Sequence, residues 1–181
     1  FSPTGYSNDI FEIAVDGDLS GGQFITNSQI KDPVENQITF SGVHAQNYHI
    51  FTPPINNDWC LLWGCQPWIK YLPYAHYAYS HKLTQGKPGR LTLEFWVTPF
   101  DYAPHDGPAG AVESKLTENS IIGLGWSVLD FDGGAKVDNF CCLSDTSRMV
   151  SDASYLCAFR LMPVEKQFQK PIEARWSWKV V

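Results

Sequence analysis

Hydrophobic positions in this chain alternate with polar ones over short runs, and turn residues close most of those runs. Residues 90–98, R-L-T-L-E-F-W-V-T, show it most cleanly. Leu91, Leu93, Phe95 and Val97 fall on one side, and Thr92, Glu94, Trp96 and Thr98 on the other. A period of two is that of a pleated strand, whose successive side chains leave opposite faces. Gly86-Lys87-Pro88-Gly89 supplies the preceding turn. Residues 9–15, D-I-F-E-I-A-V, form a second predicted strand, ended by the turn Asp16-Gly17-Asp18. Further strands are predicted over 23–26, after the Gly21-Gly22 break, and over 37–40, 46–51, 59–63 and 75–83. The C-terminal half adds 121–131, 139–143, 156–161 and 173–180, the last with Trp176 and Trp178 on one face.

One segment has the helical period instead. Gly107-Pro108 precedes A-G-A-V-E-S-K-L-T-E-N, which sets Ala109, Val112 and Leu116 at helical spacing with Pro108 near the first turn. One short helix is therefore expected near 109–118, and 101–110 reads as a loop. Turn signals recurring every roughly 8–12 residues between short strands predict an all-β fold, an antiparallel β-sandwich or barrel. The length of 181 residues fits a single domain over 1–181, with no internal repeat, low-complexity tract or linker.

Composition narrows the partners. Apolar residues at 44% and charged residues at 18% are an ordinary globular balance. The net charge is −6 and the cations are scattered singly, so nothing here would displace counterions from nucleic-acid phosphates. No apolar run is long enough to span a bilayer. The chain begins at Phe1 with neither Met nor an apolar leader, as a processed chain does, which is compatible with a removed secretory signal.

The five cysteines are Cys60, Cys65, Cys141, Cys142 and Cys157, and their spacing fits no zinc pattern. The odd count leaves at least one unpaired within the chain. Buried thiols and one or two disulfides both remain open readings, with Cys157 to Cys141 or Cys142 the first pairing expected. Adjacent strand cysteines point to opposite faces, so only one of that pair could reach a given partner.

Candidate chemistry is sparse. No G-x-S-x-G elbow is present. Glu12 and Glu94 sit on predicted strands and would be the carboxylate pair of a glycosidase, although each alone reads as a solvated strand residue. Asp16 with Asp18, and Asp130 with Asp132, are acidic pairs beside glycine. Calcium is the cation such oxygens would take, yet turn chemistry alone also explains both pairs. No other cofactor is expected. His44, His49, His76, His81 and His105 form no cluster by spacing. Aromatics at 14% include seven Trp. Trp59, Trp63 and Trp68, followed by Tyr71, Tyr74, Tyr77 and Tyr79, would fill a core or offer sugars a stacking surface.

Three segments in order carry a family resemblance. Residues 8–24, N-D-I-F-E-I-A-V-D-G-D-L-S-G-G-Q-F, resemble the D-D-x-V-E-I-F-I-D strand and Gly-rich hairpin of the family 9 carbohydrate-binding modules. Residues 89–103, G-R-L-T-L-E-F-W-V-T-P-F-D-Y-A, are similar to their E-x-x-I-P-F strand, and 120–134, S-I-I-G-L-G-W-S-V-L-D-F-D-G-G, to their I-G-F-x-V-x-V-x-D-x-D-G run. The nearest likeness is to the DOMON-like branch.

The resemblance implies a jelly-roll-like sandwich, an extracellular setting and a cleft in which two aromatic rings clamp a terminal sugar. It places the first ring at Tyr6, where the family has Trp, and the hydroxyl-accepting glutamate at Glu12. It places a family Gln at Ser127, and the second ring at Phe140. The family's opening strands have no counterpart in the sequence ahead of Phe1, so the expectation is either that they were removed or that another chain or the C-terminal strand supplies their place.

The function this implies is non-catalytic carbohydrate binding by a secreted lectin-like domain. A polysaccharide lyase or hydrolase on the same sandwich, using Glu12 or Glu94, is the first alternative. A haem-binding DOMON domain would need an axial pair such as Met149 or Met162 with His44 or His49. A protein-interaction module would use the aromatic-rich segment as its interface.

Overall fold

The computed structural model describes residues 9–24, 31, 43–55, 58–61, 67–104, 106–132 and 136–165, without the side chains of 51–55, 58–61 and 67. Ten strands follow one another among these residues. They are β1 (Ile10–Asp16), β2 (Gln46–Ile55), β3 (Asp58–Leu61), β4 (Ala75–Lys82), β5 (Arg90–Val97), β6 (Phe100–Tyr102), β7 (Val112–Glu113), β8 (Ile121–Asp130), β9 (Asn139–Cys142) and β10 (Cys157–Arg160). All pairings are antiparallel. A six-stranded sheet runs β10-β8-β1-β2-β3, with β9 also on β8, and β4 pairs with β5 in a second layer. The fold is the all-β sandwich that the alternation predicts.

The alternation in β5 survives intact: Leu91, Leu93, Phe95 and Val97 are half-buried while Thr92, Glu94 and Trp96 are exposed. Leu93, Phe95 and Val97 pack on a core that includes Tyr48 and Ile50 of β2, both fully buried. Phe11 of β1 meets Phe95 edge-on at 6.4 Å between centroids, which joins the two layers. Trp68, Tyr74 and Phe100 form a mutually edge-on trio, with centroids 4.9, 5.2 and 5.5 Å apart. Trp68 and Tyr74 of the aromatic-rich segment are therefore core fillers. Gln46 fastens β6 to this core, because its side chain bonds both the N–H and the C=O of Phe100, at 2.8 and 2.9 Å.

The opposite face of the six-stranded sheet has its own cover. β9 and β10 lie along the same edge of β8, Cys142 beside Ser127 and Cys157 beside Leu124. They behave as one edge strand interrupted by residues 143–156, which arch over the sheet through short 3-10 turns at Ser147–Val150 and Ala153–Tyr155. Met149, Ala153 and Leu156 of the arch join Ala14 and Phe24 in a second buried cluster. Gly125 makes room for this docking: a Cβ there would lie 2.6 Å from Met149 Cε and 2.8 Å from Leu156 Cδ2. The Gly21-Gly22 break ties down the far side. Both glycines have positive φ, Gly22 C=O accepts from Ala153 N–H, and Ser154 Oγ accepts from Gly22 N–H.

Three expectations change. No α-helix forms near 109–118: residues 108–110 turn, and Val112–Glu113 pairs with β6 as β7. Val112 and Leu116 stay about half exposed, so the helical spacing had no apolar surface to bury. The segment 101–110 likewise opens on strand β6 rather than on loop. Of the 23–26 strand, Gln23 makes an isolated bridge to Asp152, and 25–26 lie outside the described residues, as do 37–40 and 173–180.

The expected cysteine bridge is also absent. Cys141, Cys142 and Cys157 are free thiols. Cys142 and Cys157 sit three register positions apart along β8. At ~3.3 Å per residue that is roughly 10 Å, beyond the ~7 Å a disulfide spans. Cys60 has no described side chain, and Cys65 lies outside the described residues.

Candidate functional site

The arch-covered face of the sheet holds a row of polar side chains on its central strands. On β1 the register puts Glu12 directly between His49 of β2 and Ser127 of β8. Antiparallel neighbours in register point to the same face, so the three groups converge. Asn47, two residues before His49, shares their side. Glu12, Asn47, His49 and Ser127 are all buried, with Glu12 at 3% exposure. Oε1 of Glu12 accepts from Asn47 Nδ2 at 2.7 Å and lies 2.5 Å from His49 Nε2. Oε2 accepts from Ser127 Oγ at 3.0 Å. Asn47 Nδ2 also donates to the Val150 carbonyl at 3.2 Å, which joins this cluster to the arch.

Electrostatics follow from those contacts. Burial pushes the Glu12 carboxyl up, but the hydrogen bond and charge of His49, with the bonds from Asn47 and Ser127, outweigh it. Glu12 is thereby held below the ordinary carboxylate range and is ionised at neutral pH. An isolated buried carboxylate would neutralise instead; three donors make the charge tolerable.

The sequence-derived residues divide into four groups. Glu12 and Ser127 are brought together, 3.0 Å apart. Phe140 lies on β9 opposite Leu129, one row along from Ser127 and Cys142 on the same face, and is half-buried. Tyr6 lies outside the described residues. The acidic pairs lie apart from the cluster and serve turns. Asp16 accepts the N–H groups of Ser20 and Gly21 at 3.3 and 2.8 Å, and Asp18 accepts that of Ser20 at 3.1 Å. Burial raises the Asp16 carboxyl above its usual range.

Asp130 closes β8, and just beyond it Asp9 and Asp138 accept the N–H groups of Phe131 and Asp132. Among the described residues no three or more His, Cys, Asp or Glu side chains are arranged to hold a metal ion, so the calcium expectation finds no ligand set.

Among the described residues the carboxylate pair of the glycosidase alternative is not assembled. Glu94 is exposed and pairs with Ala78 in the other sheet, so Glu12 and Glu94 do not face one another. Met149 is fully buried against Gly125, Met162 is 73% exposed, and His49 is engaged with Glu12.

Sequence reading did not single out Asn47, and it offered His49 only as a possible haem axial ligand, not as a partner of Glu12. Their signal was present in Q-N-Y-H-I, where polar Asn47 and His49 alternate with apolar Tyr48 and Ile50. A strand with one polar and one apolar face reads as solvated on the polar side. The arch turns that face into an interior.

No family model matches the chain, and no curated protein does. Among solved structures, a carbohydrate-binding module family 9 from Caldicellulosiruptor kristjanssonii, in complex with cellotriose, has a similar fold. The TM-score is 0.52 at 15% identity, over 94% of this chain and 66% of that one. The chain thus spans just under two thirds of that module. The resemblance read from the three sequence segments holds at the level of the fold.

Proposed function

We propose that this chain is a non-catalytic carbohydrate-binding domain, a single sandwich over residues 1–181 of a secreted protein. The observation that carries the reading is the ionised, buried Glu12 with Ser127 set directly against it, the two positions at which the family resemblance expects hydrogen bonds to sugar. The sugar lies at the Phe140 end of the arch-covered face. Glu12 and Ser127 bond its hydroxyls, and Phe140 and Tyr6 supply ring faces for its C–H bonds. The similar fold with cellotriose bound supports the ligand class. No helix among the described residues is long and apolar enough to cross a membrane.

The test is a titration with a panel of mono- and oligosaccharides that includes cellotriose, followed by calorimetry and by amide shifts. Saturable binding that Glu12→Gln weakens is the expected result. A folded wild-type protein that answers no sugar in the panel overturns the reading.

A further inference from the structure

We propose that residues 173–180 of this chain, E-A-R-W-S-W-K-V, dock as a strand on the open inner face of β8, β9 and β10 and complete the second layer of the sandwich. The open face leads there. Ile122, Leu124, Trp126 and Val128 project from the side of β8 away from the arch, because Gly123, Gly125 and Ser127 between them face it. Phe159 of β10 stands beside Ile122, and Leu143, two residues after Cys141, continues the side that Cys141 shares with Val128. Trp126, Val128, Leu143 and Phe159 are each between 36 and 39% exposed, while Gly123, Gly125 and Ser127 on the arch side are buried. A sandwich buries its inner faces, so here the burial is reversed. Among the described residues the second layer reaches this face only at its border, where Phe95 meets Phe11 and Phe11 stacks on Trp126 at 6.4 Å. From Ile122 to Val128 no charged side chain shares the face on these strands. A contiguous apolar surface of that kind marks a docking site.

Pattern, reach and charge select the occupant. Residues 173–180 lie outside the described residues, and their alternation puts Ala174, Trp176, Trp178 and Val180 on one side and Glu173, Arg175, Ser177 and Lys179 on the other. Eight residues at ~3.3 Å each cover β8 from Ile122 to Val128. The chain leaves the edge of β8 at Ser120, whose C=O accepts from Leu161 N–H, and the description ends at Glu165. Residues 166–172 can extend by roughly 23–25 Å, more than the ~10 Å between packed sheets. Residues 166–181 carry four Lys or Arg and one Glu, whereas the first 165 carry nine Lys or Arg and eighteen Asp or Glu. The far end of the face is acidic. Asp130 ends the row, and desolvation with the charges of Asp132, Asp9 and Asp138 pushes its carboxyl up. A strand entering at the Ser120 end brings Lys179 to that rim. A second copy would instead bring another acidic body against this one.

The experiment uses the full chain. Nuclear Overhauser contacts are measured from the Trp176 and Trp178 indoles to the Leu124 and Val128 methyls, together with amide exchange over 173–180. Both contacts are expected, with amides exchanging about tenfold or more slower than in an open chain. The paired substitution Trp176→Ser with Trp178→Ser uncovers the face, so it binds several-fold more of the dye ANS than wild type. The contacts in wild type decide the matter even if that variant fails to fold. Contacts to another face, or open-chain exchange over 173–180 in folded wild type, overturn the proposal. Equal dye binding in a variant that keeps its β-sheet dichroism overturns it as well. Contacts seen only between differently labelled copies, with a dimer in sedimentation, overturn it and give the face to a second copy. No readout involves a sugar, so the result is separate from that of the carbohydrate titration.

Discussion

Replacing Glu12 by alanine tests whether the polar cluster is a built part of the sheet. The substitution removes the acceptor for three donors at once, Asn47 Nδ2, His49 Nε2 and Ser127 Oγ. Asn47 keeps Val150, but Ser127 is fully buried and His49 is 9% exposed, so neither regains water easily. Removing one member of a buried charged network typically costs about 3–5 kcal/mol. In a chain of this size each kcal/mol lowers the melting temperature by roughly 2–4 °C, so a drop of roughly 6–20 °C is expected. Glu12→Gln is milder. Its amide oxygen still accepts from Asn47 and His49, its N–H₂ donates to a rotated Ser127 hydroxyl, and only charge assistance is lost, for about 1–2 kcal/mol. Urea unfolding followed by tryptophan fluorescence, with thermal melts by circular dichroism, measures both. If Glu12→Ala stays within about 0.5 kcal/mol of wild type, the cluster is not formed as described.

Three further outcomes follow from the same contacts. The Glu12 carboxyl is depressed in the folded state, so its contribution to stability is present above its unfolded pKa and lost as the pH falls through the folded value; urea midpoints will drop more steeply with acid in wild type than in Glu12→Gln, and parallel curves would contradict this. Gly125→Val brings its side chain into Met149 and Leu156 and should cost about 1–3 kcal/mol by overpacking; Met149→Ala in the same chain should recover part of it, and additive losses would show that the arch does not seat there. Cys141 is exposed while Cys142 is half-buried with a raised thiol pKa, so alkylation followed by peptide mass mapping should label Cys141 first, with no Cys142–Cys157 bridge on non-reducing mapping.

Much of the layer structure was legible in the chain. A strand repeats every two residues, and burying one face writes that repeat into the sequence. Residues 90–97 therefore came out residue by residue, and β1, β4 and β8 nearly so. The helix near 109–118 misled because spacing alone cannot tell whether a surface exists for Val112 and Leu116 to cover. Length and composition also bounded it as a net-acidic chain without an apolar run long enough for a membrane-crossing helix.

Glu12 and Ser127 were legible through family likeness only. That they touch was decided by the register of β1 on β8, a non-local pairing across 115 positions. Asn47 and His49 were not legible as partners of Glu12, because a strand with one polar face looks the same in sequence whether water or an arch lies beyond it. Residues 143–156 supply the arch, and Gly123 and Gly125 on β8 let it sit down. The cysteines follow the same logic. Proximity in sequence suggested a bridge, but placing β9 and β10 end to end along one strand holds Cys142 and Cys157 too far apart. The sequence by itself determined which segments extend and which faces are apolar, because those are local consequences of periodicity. Only the tertiary structure decided which polar groups share a buried face, because register and cover depend on contacts between residues far apart in the chain.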